Sequence, residues 1–230
     1  MNDQTNRRKR QHIEVIGRDE GVERNGRFFD AMQLQHRAMP EINLHDIDPS
    51  IEVMGKRLSF PLLISSMTGG DDVLVAKVNQ HLAEAAQITG VAMGVGSQRV
   101  MLEDTKAQAS FDLRRYAPDA LLFANMGAIQ LNNGMASAQL QQAIDVLSAD
   151  AIFLHLNPLQ EAVQPEGDTN FANLAQAIGL AQVELEVPIV LKEVGSGLSV
   201  ADIELGLRHG IRWFDVAGRG GTSWARIEQQ

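Results

Sequence analysis

Cysteine is absent from all 230 residues, which excludes disulfides, thiolate zinc sites, CxxC redox chemistry and any cysteine nucleophile. The absence suits a reducing compartment. No run reaches the roughly 18–20 apolar residues of a membrane-spanning helix. The stretch from Asn2 to Gln11 is polar and basic, with no apolar segment of a signal peptide behind it. A soluble, cytoplasmic protein is therefore expected. Neither a Walker A loop nor a GxSxG elbow occurs, so P-loop and α/β-hydrolase chemistry are excluded. Positive charge is also scarce: 20 Lys and Arg stand against 29 Asp and Glu, a net charge of −9. That argues against general affinity for nucleic acid or anionic membrane. An anionic ligand would need a local basic cluster, helix N-termini or a metal.

What is present points to one large core. Apolar residues make up 44% of the chain, and 20 Gly and 7 Pro are ordinary numbers for a globular protein. The first 55 or so residues are polar and irregular and read as an N-terminal arm with a lead-in hairpin or loop (1–55). From Phe60 onward short apolar, β-branched runs recur at 60–65, 91–95, 120–124, 150–154, 187–191 and 212–216. Amphipathic stretches at 72–89, 138–148, 170–185 and 199–209 separate them, and in 72–89 the positions Val75, Val78, Leu82, Ala85 and Ala86 keep helical spacing. The spacing is that of βα repeats, and the near-continuous apolarity of the strands implies a parallel sheet covered on both faces.

Six strands in succession run into glycine or hydrogen-bonding residues: SSMTGG (65–70), GSQR (96–99), NMGA (125–128), HLNPLQE (155–161), KEVGSG (192–197) and AGRGGTS (217–223). In an open doubly wound sheet one switch point carries the ligand, whereas in a TIM barrel all strand ends converge on one site. The fold expected over 56–230 is α/β, a TIM (β/α)8 barrel of which about six βα units are present. A closed barrel needs two more, roughly 60 residues at about 30 per unit, so the expectation is a chain cut short.

Each motif has a bland reading beside its chemical one. Lys192 ends an apolar strand; it can pair with Glu193 or Asp215, act as a fixed cation beside a ligand that becomes anionic, or form a Schiff base. HLNPLQE gathers His155, Asn157, Gln160 and Glu161. A carboxylate among amides suits Mg²⁺ sharing its shell with phosphates and does not suit zinc, though Glu161 can equally be a solvated acid and His155 a structural one. The Arg7–Arg10 run is either a solvated tail or an arm that folds over an anionic substrate.

In order and in wording, RKRQHI (8–13), SSMTGG, GSQR, NMGA, HLNPLQE, KEVGSG and AGRGGTSWARIE (217–228) resemble the type 2 isopentenyl-diphosphate isomerases, over nearly the whole chain. The resemblance implies an FMN-dependent barrel that interconverts isopentenyl and dimethylallyl diphosphate by a 1,3-proton shift in isoprenoid biosynthesis, with flavin reduced through NADPH and with Mg²⁺. It implies that Ser66, Met67, Thr68, Ser97, Asn125, Lys192 and Thr222 contact FMN. Arg8, Lys9, Ser97, Gln98, Arg99 and Gln160 would hold the substrate and Glu161 the metal, with His155 and Gln160 catalytic. Many members carry Ser where this chain has Ala217.

In such barrels the loops after strands seven and eight commonly hold phosphate, so the chain as it stands is expected to bind FMN weakly and turn over little. A full-length form is expected to be a homo-oligomer. The rival readings are an FMN-dependent α-hydroxy-acid oxidase, an inactive fragment, and a Schiff-base aldolase using Lys192.

Overall fold

A computed structural model describes residues 12, 14–22, 28–66, 73–218 and 222–229. Eight strands occur among them: β1 (Ile51–Val53), β2 (Lys56–Leu58), β3 (Leu63–Ile64), β4 (Ala92–Gly94), β5 (Leu122–Gly127), β6 (Ala151–Leu156), β7 (Ile189–Glu193) and β8 (Trp213–Asp215). The last six form one sheet in strictly sequential order, every neighbour parallel. A doubly wound sheet reverses its order at the switch point; this one does not. Six parallel strands, curled with their helices outside, make a partial (β/α) barrel, as expected.

All six expected runs hold strands, with shifted edges. β3 keeps only two residues of 60–65, next to Pro61, which has no N–H to donate to a ladder. β5, β6 and β7 instead reach past their apolar runs into the motifs, so Asn125, His155 and Lys192 lie within strands rather than in the turns after them.

The helices are α1 (Val73–Thr89), α2 (Arg99–Glu103), α3 (Ser137–Leu147), α4 (Pro158–Val163), α5 (Leu174–Glu184), α6 (Val200–Arg208) and α7 (Trp224–Glu228); residues 14–18 are also helical. On α3, Leu140, Ala143, Ile144 and Leu147 are buried at the spacing of one helical stripe. On α1 the buried stripe is Val75, Asn79, Ala83 and Ala86, turned from the expected one: Val78 and Leu82 are half-buried and Ala85 is exposed. Asn79 is tolerated there because its amide donates to Ser110 O at 3.2 Å.

Strand periodicity divides the core in two. One face of the sheet, with Met93, Leu122, Ala124, Ile152, Leu154, Ile189 and Leu191, packs beneath the helices. The other face, with Ala92, Leu121, Phe123, Ala151, Phe153 and Val190, forms the barrel interior. Phe123 and Phe153 stack there with centroids 4.6 Å apart. The antiparallel hairpin β1–β2 adds Leu58 to this inner cluster, with Val53 and Met54 against it, and so closes the floor of the barrel. The hairpin spans residue 55, where arm and barrel were expected to part, and its apolar contacts are with the barrel.

Polar groups lock the same end. Lys56 on β2 lies 3.2 Å from Asp150 and donates to the carbonyls of Asp119 and Ala120. Arg114 reaches Asp150 at 2.9 Å and the carbonyls of Ala117, Ala120 and Ser148. Asp150 also accepts the Leu122 N–H at 2.8 Å. Three stretches of chain, at 56, 114–122 and 148–150, are joined by three side chains.

Candidate active site

Moving two residues along each strand from the apolar floor keeps to the inner face. Phe123 leads to Asn125, Phe153 to His155 and Val190 to Lys192. In register, Gly127, His155, Lys192 and Asp215 pair in sequence across β5 to β8 and form one level. The inner face thus changes from hydrocarbon to hydrogen-bonding groups within one side-chain spacing. Above it opens a cavity of about 500 Å³, within the range of roughly 300–1,000 Å³ typical of small-molecule sites.

Of the residues expected in a site, the cavity wall includes Ser66, Ser97, Asn125, Lys192 and Thr222 from the cofactor set, Arg99 and Gln160 from the substrate set, and His155 and Glu161. Arg8, Lys9, Met67 and Thr68 lie outside the described residues. Gln98 is placed differently from Ser97 and Arg99 in the same motif. It is fully buried and outside the cavity wall; its amide donates to Ala143 O at 2.8 Å and its carbonyl accepts the Asn125 N–H at 3.0 Å. Its side chain is part of the framework behind the wall.

Lys192 is 7% exposed. Its Nζ meets Asp215 at 2.6 Å and lies 5.4 Å from the centroid of the Phe153 ring, so a carboxylate and an aromatic face offset the burial of charge. The pairing with Asp215 is one of the partners expected. Glu193, the other, points differently: one of its oxygens accepts the N–H groups of Gly195, Ser196 and Gly197 and shapes the loop after β7. Ala217, on the cavity wall, has φ +35°, a strained conformation for a residue with a Cβ.

Gln160 and Glu161 sit on α4, whose first residue is Pro158, well suited to a helix start. Asn157 precedes it, is buried, and donates its amide to Gln160 Oε1 at 3.3 Å and Glu161 Oε1 at 2.8 Å. Glu161 Oε2 accepts the Asp168 N–H at 2.7 Å, and Gln160 donates to Glu228 on α7 at 3.0 Å. Among the described residues, Arg99 makes only long contacts, to Glu103 and Asp168, each 3.9 Å.

Several wall residues carried no assigned role in the sequence. His12 lies 3.3 Å from Glu228 and edge-on to Trp224, 5.4 Å between ring centroids. Val15, Val22 and Ile227 bury a small apolar cluster beside them, and Asp19 grips Arg226 with two bonds of 2.7 and 2.9 Å. The available signal was adjacency, since His12 belongs to RKRQHI and Trp224 and Glu228 to the last motif.

Two wall groups lack partners among the described residues: the buried Ser66 Oγ and Asn157 Oδ1. A buried oxygen left unbonded is costly, so both point to a ligand or water that donates to or accepts from them. Gly94 keeps space beside Ser66; a Cβ there would come within 2.6 Å of Ser66 Oγ and 2.8 Å of the Phe153 ring. Among the described residues no group of three or more His, Cys, Asp or Glu gathers as a metal cage.

Residues 10–120 match the family of FMN-dependent dehydrogenases. Proteins named isopentenyl-diphosphate delta-isomerase match far more of the chain. Those of Hydrogenovibrio crunogenus and Paracoccus zeaxanthinifaciens are 56% and 54% identical over 96% of it, and that of a Nostoc species is 46% identical over 98%. The chain is thus similar to these isomerases over nearly its whole length. It spans 64%, 63% and 64% of the lengths of those three relatives.

Proposed function

We propose that this chain supplies the substrate and flavin wall of an isopentenyl-diphosphate delta-isomerase, which interconverts isopentenyl and dimethylallyl diphosphate with FMN. The observation that carries the reading is the set of Asn125, His155 and Lys192 on the inner face towards the strand ends, with Ser66 Oγ and Asn157 Oδ1 unpartnered among the described residues beside them. A flat, polar-edged ring system suits such a wall. Ser66, Ser97, Asn125, Lys192 and Thr222 would hold FMN, and Met67 and Thr68 belong to the same proposed set. Reduced FMN, when bound, supplies the acid and base that a 1,3-proton shift needs.

The chain's own residues do the rest. Lys192 places a positive charge where negative charge accumulates, and Asp215, half-buried, keeps that charge from leaving the wall. His155 and Gln160 orient the five-carbon unit; Gln160 can do so because Asn157 and Glu228 hold both ends of its amide. Arg99, with Arg8 and Lys9 of the arm, anchors the diphosphate. Its long acidic contacts are weak enough to give way to a bidentate phosphate. Glu161 is held by two hydrogen bonds before any metal arrives. A single fixed carboxylate suits Mg²⁺ that completes its shell with diphosphate oxygens and water. NADPH would be the source of reducing equivalents.

The test is conversion of isopentenyl diphosphate to the acid-labile dimethylallyl isomer by the purified protein with Mg²⁺ and chemically reduced FMN under anaerobic conditions. Conversion that ignores FMN, or oxygen-consuming turnover of lactate or glycolate in its place, overturns the reading. The second outcome would restore the hydroxy-acid oxidase.

A further inference from the structure

Gln98 and Asn125 form a buried unit whose geometry bears on His155. β4 ends at Gly94, so β5 loses its neighbouring strand beyond Phe123. Gln98 takes that strand's place. Its N–H donates to Asn125 O at 2.9 Å and its side-chain carbonyl accepts the Asn125 N–H at 3.0 Å, while its amide nitrogen is anchored on Ala143 O of α3. Both backbone groups of Asn125 are satisfied by one glutamine, and the residue is fixed relative to the helix layer.

The side chain of Asn125 then has one orientation. One end lies 2.9 Å from Val95 O, which can only accept, so that end is the NH₂. The other end is Oδ1, and it lies 2.8 Å from His155 Nδ1. An unprotonated Nδ1 there would set two lone pairs against each other at hydrogen-bond distance. We infer that Gln98 and Asn125 are positioning residues that fix the tautomer of His155: in the neutral ring Nδ1 carries the proton and Nε2 is the accepting nitrogen. Nε2 is the side of the ring towards Gly127 on the cavity wall, where an added Cβ would lie 3.2 Å from it.

The consequence for chemistry rests on the proposed isomerase reading. His155 then meets substrate as a hydrogen-bond acceptor, and serves a donor group or an ordered water rather than giving up a proton of its own. The tautomer itself does not depend on that reading. It is measured in flavin-free protein, so failure of the isomerase assay and failure of this inference are separate results.

Long-range proton–nitrogen correlation spectra of ¹⁵N-labelled protein distinguish the two ring nitrogens. The His155 signals are identified by their loss in His155→Gln. The expected result is a protonated Nδ1 in about tenfold or greater excess among neutral rings, the discrimination one buried hydrogen bond supplies. In Asn125→Ala the excess should collapse towards the Nε2–H form that unrestrained imidazole prefers. In Gln98→Met, which keeps volume but loses both side-chain bonds, the change should run the same way and be smaller. A protonated Nε2 in the unaltered protein overturns the inference without recourse to any variant. A protonated Nδ1 that survives in a folded Asn125→Ala also overturns it, because Asn125 then does not set the tautomer.

Discussion

The two ends of the barrel carry similar residues and use them in opposite ways. At the floor, Lys56, Arg114 and Asp150 satisfy one another and a set of carbonyls, beneath stacked phenylalanines. At the mouth, Lys192 and Asp215 also pair, but the groups around them are held on one side only: Ser66 Oγ and Asn157 Oδ1 have no partner among the described residues, and Arg99 has only long contacts. A lysine beside an aspartate is therefore not diagnostic. The surroundings decide: saturated bonding marks a structural end, and unfinished bonding marks an end prepared for a ligand.

Mutations should separate the ends cleanly. The largest effect belongs to Lys192→Met, for which turnover at saturating flavin should fall about 10²–10³-fold, the usual loss on removing one fixed electrostatic group. The unfolding midpoint should scarcely move, because Asp215 retains 24% side-chain exposure and can be hydrated. A large loss of stability with normal turnover would place Lys192 with the floor instead. Arg114→Met should do the reverse. It breaks a partly buried ion pair and several carbonyl bonds, and urea denaturation should show about 2–3 kcal/mol lost, with activity per folded molecule unchanged.

Ser66→Ala sharpens the contrast further, since its two effects have opposite signs. Removing an unpaired hydroxyl should raise the stability of flavin-free protein slightly and weaken FMN about 2–10-fold, as read by flavin fluorescence titration. Equal weakening of both would mean the hydroxyl is already satisfied without flavin. The smallest effect lies in the lead-in to the floor hairpin. Hydrogen bonds from the Ser50 side chain and then its backbone N–H, aided by Arg57, hold the Asp48 carboxyl below its ordinary range. A lowered pKa contributes stability above the ordinary carboxylate range, and that contribution disappears as pH falls through the lowered value. NMR titration should find Asp48 low, and Ser50→Ala should bring it back up.

Strand order and the location of the site were legible because both follow from periodicity. Apolar runs about 30 residues apart require a parallel repeat, and a polar residue two places beyond an inner-face Phe or Val must face the cavity. That reasoning finds Asn125, His155 and Lys192 from Phe123, Phe153 and Val190. It does not reach Gln98, which lies beyond β4 in the same motif as Ser97 and Arg99 and turns its side chain behind the wall; nothing in GSQR distinguishes the three. The stripe of α1 was misplaced for a similar reason, since Asn79 reads as polar until its partner, Ser110 O, is known. The floor was silent altogether. Lys56, Arg114 and Asp150 lie in unrelated stretches, and their convergence is a property of the folded chain alone.

The grip of Asp19 on Arg226 joins residues 207 positions apart in the chain, and this imposes an order of events on a ribosome. The segment around His12 is made early, but its anchor is made some 207 residues later. At roughly 5–20 residues per second that interval is about 10–40 s, long enough for the strands between to pair before the arm can be clasped. This part of the cavity rim is therefore completed after the walls between, and a nascent chain leaves it unclasped until the helix that carries Arg226 emerges.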